Sequence, residues 1–260
     1  MKIIISPAKS FKKNKDIKTE PLLFKEKTKI LVDKLKTYNL NDMGNLNKTN
    51  DKLTEKAYFD YQEMDLENLD NPAIFAYDGL VFKQFNKKDF DDLAYLNDHL
   101  YIISALWGLA KPLTGIADYR LYFDNPDFDL YKFWGDLLYK ELFKDDDLII
   151  NLASKEYSKT ITPFLKDKDK FVSLDFKDYR NGKAKSIVAW TKQMRGKMLK
   201  EIISKKIDDI DQIKKIEIDS YKYQEDLSEA NNLVFLRRNR WNFYIWQIFT
   251  WEKLLGTILS

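Results

Sequence analysis

The amino-acid sequence predicts a mixed α/β fold, with a mixed sheet wrapped by helices in a single compact domain. Three observations carry this. Short apolar runs rich in β-branched residues alternate with segments whose apolar positions recur at helical spacing. No period of about 20–50 residues repeats, and no Gly/Ser-rich or Pro-rich linker divides the chain. The 260 residues suffice for an ordinary core without disulfide or metal staples.

The elements follow in order. "KIIIS" near the N-terminus reads as a strand ended by Pro7. "FKEKTKILVDKLKTY" has helical apolar spacing, and "NDKLTEKAYFDY" is a second helix capped by Asn50 or Asp51. "AIFAYDG" has the look of a strand closed by Asp-Gly, "KDFDDLAYLNDH" of a short helix and "LYIIS" of another strand. His99 falls at that strand's edge. "FWGDLLYKELF" predicts a helix, "DDDLIINLAS" a strand running into a loop, and "SKEYSKTI" a helix start. "KFVSLDF" and "AKSIVAW" form two strands around the turn Arg180-Asn181-Gly182. "TKQMRGKMLKEIISKKI" is then a long basic helix and "NLVFLRR" a late strand. Residues 1–240 make the domain; 241–260 are a C-terminal helical extension with six aromatics. It is apolar almost all round, as in a helix packed on the domain, a self-association surface or a helix lying on a membrane. Glu252 and Lys253 argue against a transmembrane span.

Composition excludes several chemistries. There is no cysteine, which removes disulfides and thiolate nucleophiles and points to a reducing compartment. His99 is the only histidine, so Ser-His-Asp and His-based zinc sites are absent; no metal and no cofactor are expected. Three isoleucines before Ser6 are too few for a secretory segment, which predicts a cytoplasmic protein. Net charge is only +3, yet Lys+Arg against Asp+Glu runs 14 to 8 over residues 1–60, 8 to 18 over 61–150 and 22 to 15 over 151–260. An acidic middle between two basic ends polarises the surface if the ends meet in space, and otherwise means only solvated lysines.

Four stretches carry candidate sites, each beside a plain structural explanation. Ser6-Pro7-Ala8-Lys9 matches Ser-x-x-Lys, in which a lysine activates a serine. The same residues also read as a helix cap, with Ser6 at the cap, Pro7 in the first turn and Lys9 facing an anion. "LIINLASKEYSK" places Asn151, Ser154, Lys155 and Tyr157 around a helix start at the carboxyl end of a strand, where open α/β sheets bind ligands. Between Lys177 and Lys200 eight Lys/Arg face one acid, with Tyr179 and Trp190 interleaved, as on a phosphate-tracking surface or a solvated helix. Of the helix cations, Lys192 and Arg195 share a face. Ile103–Lys111 can be read as a helix end, a tight turn at Gly108 and a restart near Pro112. That outline is either a helix-hairpin-helix with Lys111 beside a phosphate, or a helix C-cap followed by proline. Asp136 is the carboxylate candidate, pairing with Arg120 or serving as an acid/base.

"ISPAKS", "AIFAYDG", "SALWGLAKPLTGIADYRL", "LYKFWGD", "INLASKEYSK" and "KQMRGKM" together resemble, in the same order, the motifs of the YaaA family of bacterial peroxide-stress proteins. The resemblance runs from residue 1 to about residue 238. It implies a compact α/β domain with a positively charged cleft, a helix-hairpin-helix-like element, DNA binding, and a role in limiting oxidative damage by keeping unincorporated iron low. The matching positions here are Pro7–Lys9, Ala105–Pro112, Tyr119-Arg120, Phe133–Asp136, Asn151–Ser154 and Arg195-Gly196. The chain departs from the pattern at Leu80, Phe82, Ala105 and Ser220, and its tail after Arg240 extends past the family's usual end.

Combined, these readings place Lys111 and Arg120 on one wall of a cationic cleft, Lys9 with Asn151, Ser154 and Lys155 on its floor, and Lys192 with Arg195 opposite. DNA gripped through its phosphates is the expected partner. The alternative is an enzyme acting on a phosphorylated or carboxylated small molecule, with Ser6, Asp136 and Tyr157 as its candidate catalytic groups.

Overall fold

The central strands are short runs of large aliphatic residues. In a computed structural model, which describes residues 1–14 and 16–238, Ile3, Ile4 and Ile5 are wholly buried, as are Ile149 and Ile150 of a neighbouring strand. Strands buried on both faces need apolar residues at every position, and a parallel arrangement with helices on both sides provides that burial. The predicted C-terminal extension, 241–260, lies outside the described residues.

The strands in chain order are β1 (Lys2–Ile5), β2 (Asn71–Pro72), β3 (Leu100–Ser104), β4 (Gly108–Ala110), β5 (Gly115–Ile116), β6 (Leu148–Asn151), β7 (Lys170–Arg180), β8 (Lys183–Lys185), β9 (Tyr221–Tyr223) and β10 (Asn232–Arg238). The main sheet runs β4-β3-β1-β6-β7-β10-β9, with β8 also paired to β7, and β2 and β5 form a separate two-stranded sheet. The five inner strands β3, β1, β6, β7 and β10 are parallel; β4, β8 and β9 add on antiparallel.

This order places a topological switch between β1 and β6. From β1 the chain moves to β3 on one side, and from β6 it moves to β7 on the other. The loops leaving these two neighbours therefore diverge and open a crevice at their carboxyl ends. Beyond it, β7 continues from Ser173, level with Asn151, to Arg180, about 23 Å further at the usual strand rise. There it turns through Asn181 and Gly182, both at positive φ (49° and 76°), into β8. Asn-Gly supplies the left-handed pair that a tight hairpin requires. The helix Val188–Ser204 then runs back along β7, its Thr191 hydroxyl donating to the Phe176 carbonyl at 3.4 Å.

Several local expectations are corrected. "AIFA" is one buried helical turn, Ala73–Ala76, not a strand; a short apolar run carries no period that separates the two. Within "IVAW", Ile187 is the N-cap and Val188–Trp190 open the helix Val188–Ser204, and β8 ends at Lys185. His99 ends the helix Leu93–His99, stacked on Tyr95 at 3.9 Å. "FWGDLLYKELF" divides at Gly135 (φ 52°) into Leu130–Trp134 and Leu137–Leu142.

The stretch Ile103–Lys111 is not a helical hairpin. It is the antiparallel β3–β4 turn, with the Ser104 hydroxyl accepting from the backbone N–H groups of Leu106 (3.2 Å) and Trp107 (3.0 Å). Gly108 has φ 69°, and a Cβ there would stand 2.7 Å from the Trp134 ring. Trp134 in turn donates from its indole nitrogen to the Ala105 carbonyl at 3.0 Å. The glycine therefore serves core packing.

Candidate functional site

The crevice between β1 and β6 is a cleft of about 320 Å3. It is lined by Ser6–Ser10 after β1, by Gly79–Phe82, by Leu152, Ser154, Glu156 and Tyr157 after β6, and by Lys192 and Arg195 of the returning helix. Two glycines set its shape. A Cβ on Gly79 would lie 2.7 Å from that of Ala8, so the Gly79–Phe82 wall closes tightly on the β1 exit. A Cβ on Gly196 would lie 2.2 Å from the Val81 carbonyl, so only glycine lets the helix approach that wall and bring Arg195 into the cleft.

The floor is fixed by hydrogen bonds across the switch. The Ser154 backbone N–H donates to Ser6 Oγ at 2.8 Å, and the Ser6 hydroxyl faces Ser154 Oγ at 3.4 Å. Ser6 is thus a strap between two loops. No helix follows it, Ser154 makes no side-chain capping bond, and Lys9 Nζ lies 4.2 Å above the Tyr122 ring, so neither the predicted caps nor a Ser-Lys pair forms. Tyr157 lines the cleft with its phenol pushed far up by burial, so it stays protonated.

Lys9, Lys192 and Arg195 form no ion pair with a carboxylate among the described residues. Arg195 Nε is buried without a hydrogen-bond partner, and burial pulls the guanidinium pKa down, with Asp175 opposing. The single carboxylate in the lining is Glu156. Burial pushes its pKa up, with Asp124 adding to the rise, while the Phe123 N–H, Lys9 and Lys192 oppose it. Sequence reasoning passed over Glu156 although it selected both neighbours, Lys155 and Tyr157.

The remaining predicted residues separate. Arg120 occupies an adjoining hollow of about 190 Å3 with Lys56, Asp60 and Asp118; Lys9 and Ser10 line both. Its guanidinium lies 5.9 Å from the centre of the same Tyr122 ring that carries Lys9. Asn151 is buried and structural, donating to Ser173 Oγ (3.0 Å) and accepting from the Ala153 N–H (2.9 Å). Lys155 is exposed outside the lining. Lys111 points toward the opposite end of the sheet, where it meets Asp98 at 3.4 Å. Asp136 pairs with Lys140 at 2.8 Å rather than with Arg120.

A family model described as peroxide stress protein YaaA matches residues 1–227. The chain belongs to this family. It is 38% identical over 247 residues to a UPF0246 protein of Ligilactobacillus salivarius, covering 91% of this chain and 100% of that one. It is also 36% identical to a UPF0246 protein of Clostridioides difficile (91% and 100% covered) and 38% identical to one of Clostridium botulinum strain Eklund 17B (92% and 100%). Membership of the YaaA family links the chain to peroxide stress. No helix among the described residues is long and apolar enough to cross a membrane.

Proposed function

We propose that the chain acts in the peroxide response as a DNA-binding protein that grips phosphates without sequence preference and limits damage linked to free iron. The observation that carries the DNA reading is a set of cations without carboxylate partners on the β7–β8 hairpin, the helix that follows it and the cleft. Arg180, Lys183 and Lys185 stand on the β7–β8 hairpin, and Lys192 and Arg195, on the helix that follows, line the cleft with Lys9; none forms an ion pair among the described residues. Exposed Tyr179 and Trp190 belong to the same two elements. Cations interleaved with aromatics match the charge and stacking demands of a nucleic-acid backbone.

Binding of this kind releases counterions, so the logarithm of affinity falls with that of salt at about 0.9 per duplex phosphate neutralised. A salt-titrated gel shift with duplex and single strands, run with Lys192→Ala and Arg195→Ala, tests it. Weaker binding and a shallower slope in both variants are expected; an affinity that ignores salt overturns the reading. The enzyme alternative draws on the cleft's volume and on Glu156. It requires small phosphates to raise the melting temperature more than a short duplex does.

A further inference from the structure

The cleft's lining is richer than a backbone phosphate needs. Beside Lys9, Lys192 and Arg195 it presents Leu80, Val81, Phe82 and Leu152, and it includes the carboxylate of Glu156. A site for a phosphate alone gains nothing from a carboxylate, which repels the charge that the cations attract. A nucleotide has a use for all three kinds of group: its phosphate for the cations, its planar base for the apolar wall, and an amino edge for the carboxylate, as Glu accepts from the cytosine amino group in base readout. At about 320 Å3 the cleft falls at the small end of ligand pockets and has no room for a duplex. A base can enter only after leaving the stack. Lys192 and Arg195 both line the cleft and belong to the cations offered to DNA, so DNA held on them brings its nucleotides to the mouth.

We propose that the cleft receives one unstacked nucleotide of bound DNA, its phosphate on Lys192 and Arg195, its base against Leu80–Phe82, and its exocyclic amino group on Glu156. This rests on the DNA-binding reading above. A free nucleoside monophosphate has the same chemistry, and the experiment separates the two sources.

The full chain is titrated into a duplex that carries an end label for anisotropy and one 2-aminopurine opposite a mismatched base. Anisotropy reports binding and 2-aminopurine fluorescence reports unstacking, each variant being read at its own saturation. Wild type is expected to give a several-fold rise in fluorescence. Leu80→Trp, which fills the cleft from a side chain 38% exposed, and Glu156→Ala, which removes the amino partner, are expected to abolish most of it. Lys183→Ala/Lys185→Ala, outside the cleft, needs more protein to saturate but gives the full rise.

A saturated wild-type complex with unchanged fluorescence overturns the inference and leaves DNA binding standing. A full rise in both Leu80→Trp and Glu156→Ala overturns it too, since the base then unstacks elsewhere. A chain that binds no duplex at low salt overturns both readings. If deoxynucleoside monophosphates raise the melting temperature beyond inorganic phosphate while the bound duplex stays dark, the occupant is a free nucleotide and the DNA-borne form is overturned.

Discussion

The two ends of the parallel sheet differ in that a set of cations at the carboxyl end is left without carboxylate partners among the described residues. At the amino end, the Met1 ammonium pairs with Asp146 at 2.9 Å, Lys111 with Asp98 at 3.4 Å and Lys168 with Asp147 at 4.0 Å. Lys2 is buried there and donates to the Leu142 carbonyl at 2.8 Å, at a helix C-terminus whose exposed carbonyls favour a cation. Burial lowers its pKa, against the pull of Asp146, Asp145 and Glu141. At the carboxyl end, Lys9, Lys192, Arg195 and the hairpin cations have no carboxylate partner among the described residues. Other cations at this end are paired: Lys83 with Asp78 at 3.6 Å, Lys56 with Asp118 at 2.9 Å, and Arg237, which donates to Asp178 from Nη2 (2.6 Å) and Nε (2.7 Å) while the Tyr221 hydroxyl donates to the other Asp178 oxygen at 2.8 Å. Paired cations tie elements together; unpaired ones are available to a ligand.

The comparison can be broken or sharpened in four ways. The largest effect is expected from Asp178→Ala, which strands Arg237 in a site where the two side chains are only 4% and 17% exposed. Stability should drop by about 3–5 kcal/mol in urea denaturation, whereas a loss under about 1 kcal/mol would place this pair with ordinary surface bridges. Gly196→Ala comes next. Its Cβ meets the Val81 carbonyl, so about 1–3 kcal/mol of stability should be lost, with weaker duplex binding as Arg195 shifts. Unchanged urea midpoints would mean the helix has slack.

Lys183→Ala/Lys185→Ala should reduce the salt slope of duplex binding by about 2, while Lys111→Ala/Lys168→Ala at the amino end should leave it unaltered. Equal losses from the two pairs would erase the distinction between the ends. The smallest effect concerns Glu156. Its folded pKa is raised above the unfolded value, so its stabilising contribution is full below the unfolded pKa and disappears as pH rises through the folded one. At neutral pH the charged form therefore costs stability. Glu156→Gln should melt about 1–2 °C higher than wild type near pH 7, and that advantage should vanish toward about pH 4. A gain that persists in acid would assign the effect to packing.

Much of the scaffold was legible because burial on two faces leaves a strong local mark: the isoleucine runs at Ile3–Ile5 and Ile149–Ile150 have few alternatives to inner strands. Asn181-Gly182 announced its hairpin for a similarly local reason, the need for positive φ. Ser6, Lys9, Ser154, Lys192 and Arg195 were reachable through their positions at strand ends and on one helix face. Lys111 and Asp136 were misplaced because strand direction and ion pairing decide where a charged side chain ends up, and neither is encoded within a few residues.

The sequence alone determined the apolar runs, the turn chemistry, the exclusion of thiol and multi-histidine chemistry, and the order of family motifs. Tertiary structure alone decided that β1 and β6 are neighbours whose loops diverge, that Gly196 lets a helix close on the Gly79–Phe82 wall, and that Glu156 shares a cleft with three cations. Local preferences act over one turn or one strand, whereas a site at a sheet's switch point joins residues from four separated stretches, and only their packing around one core gives them a common address.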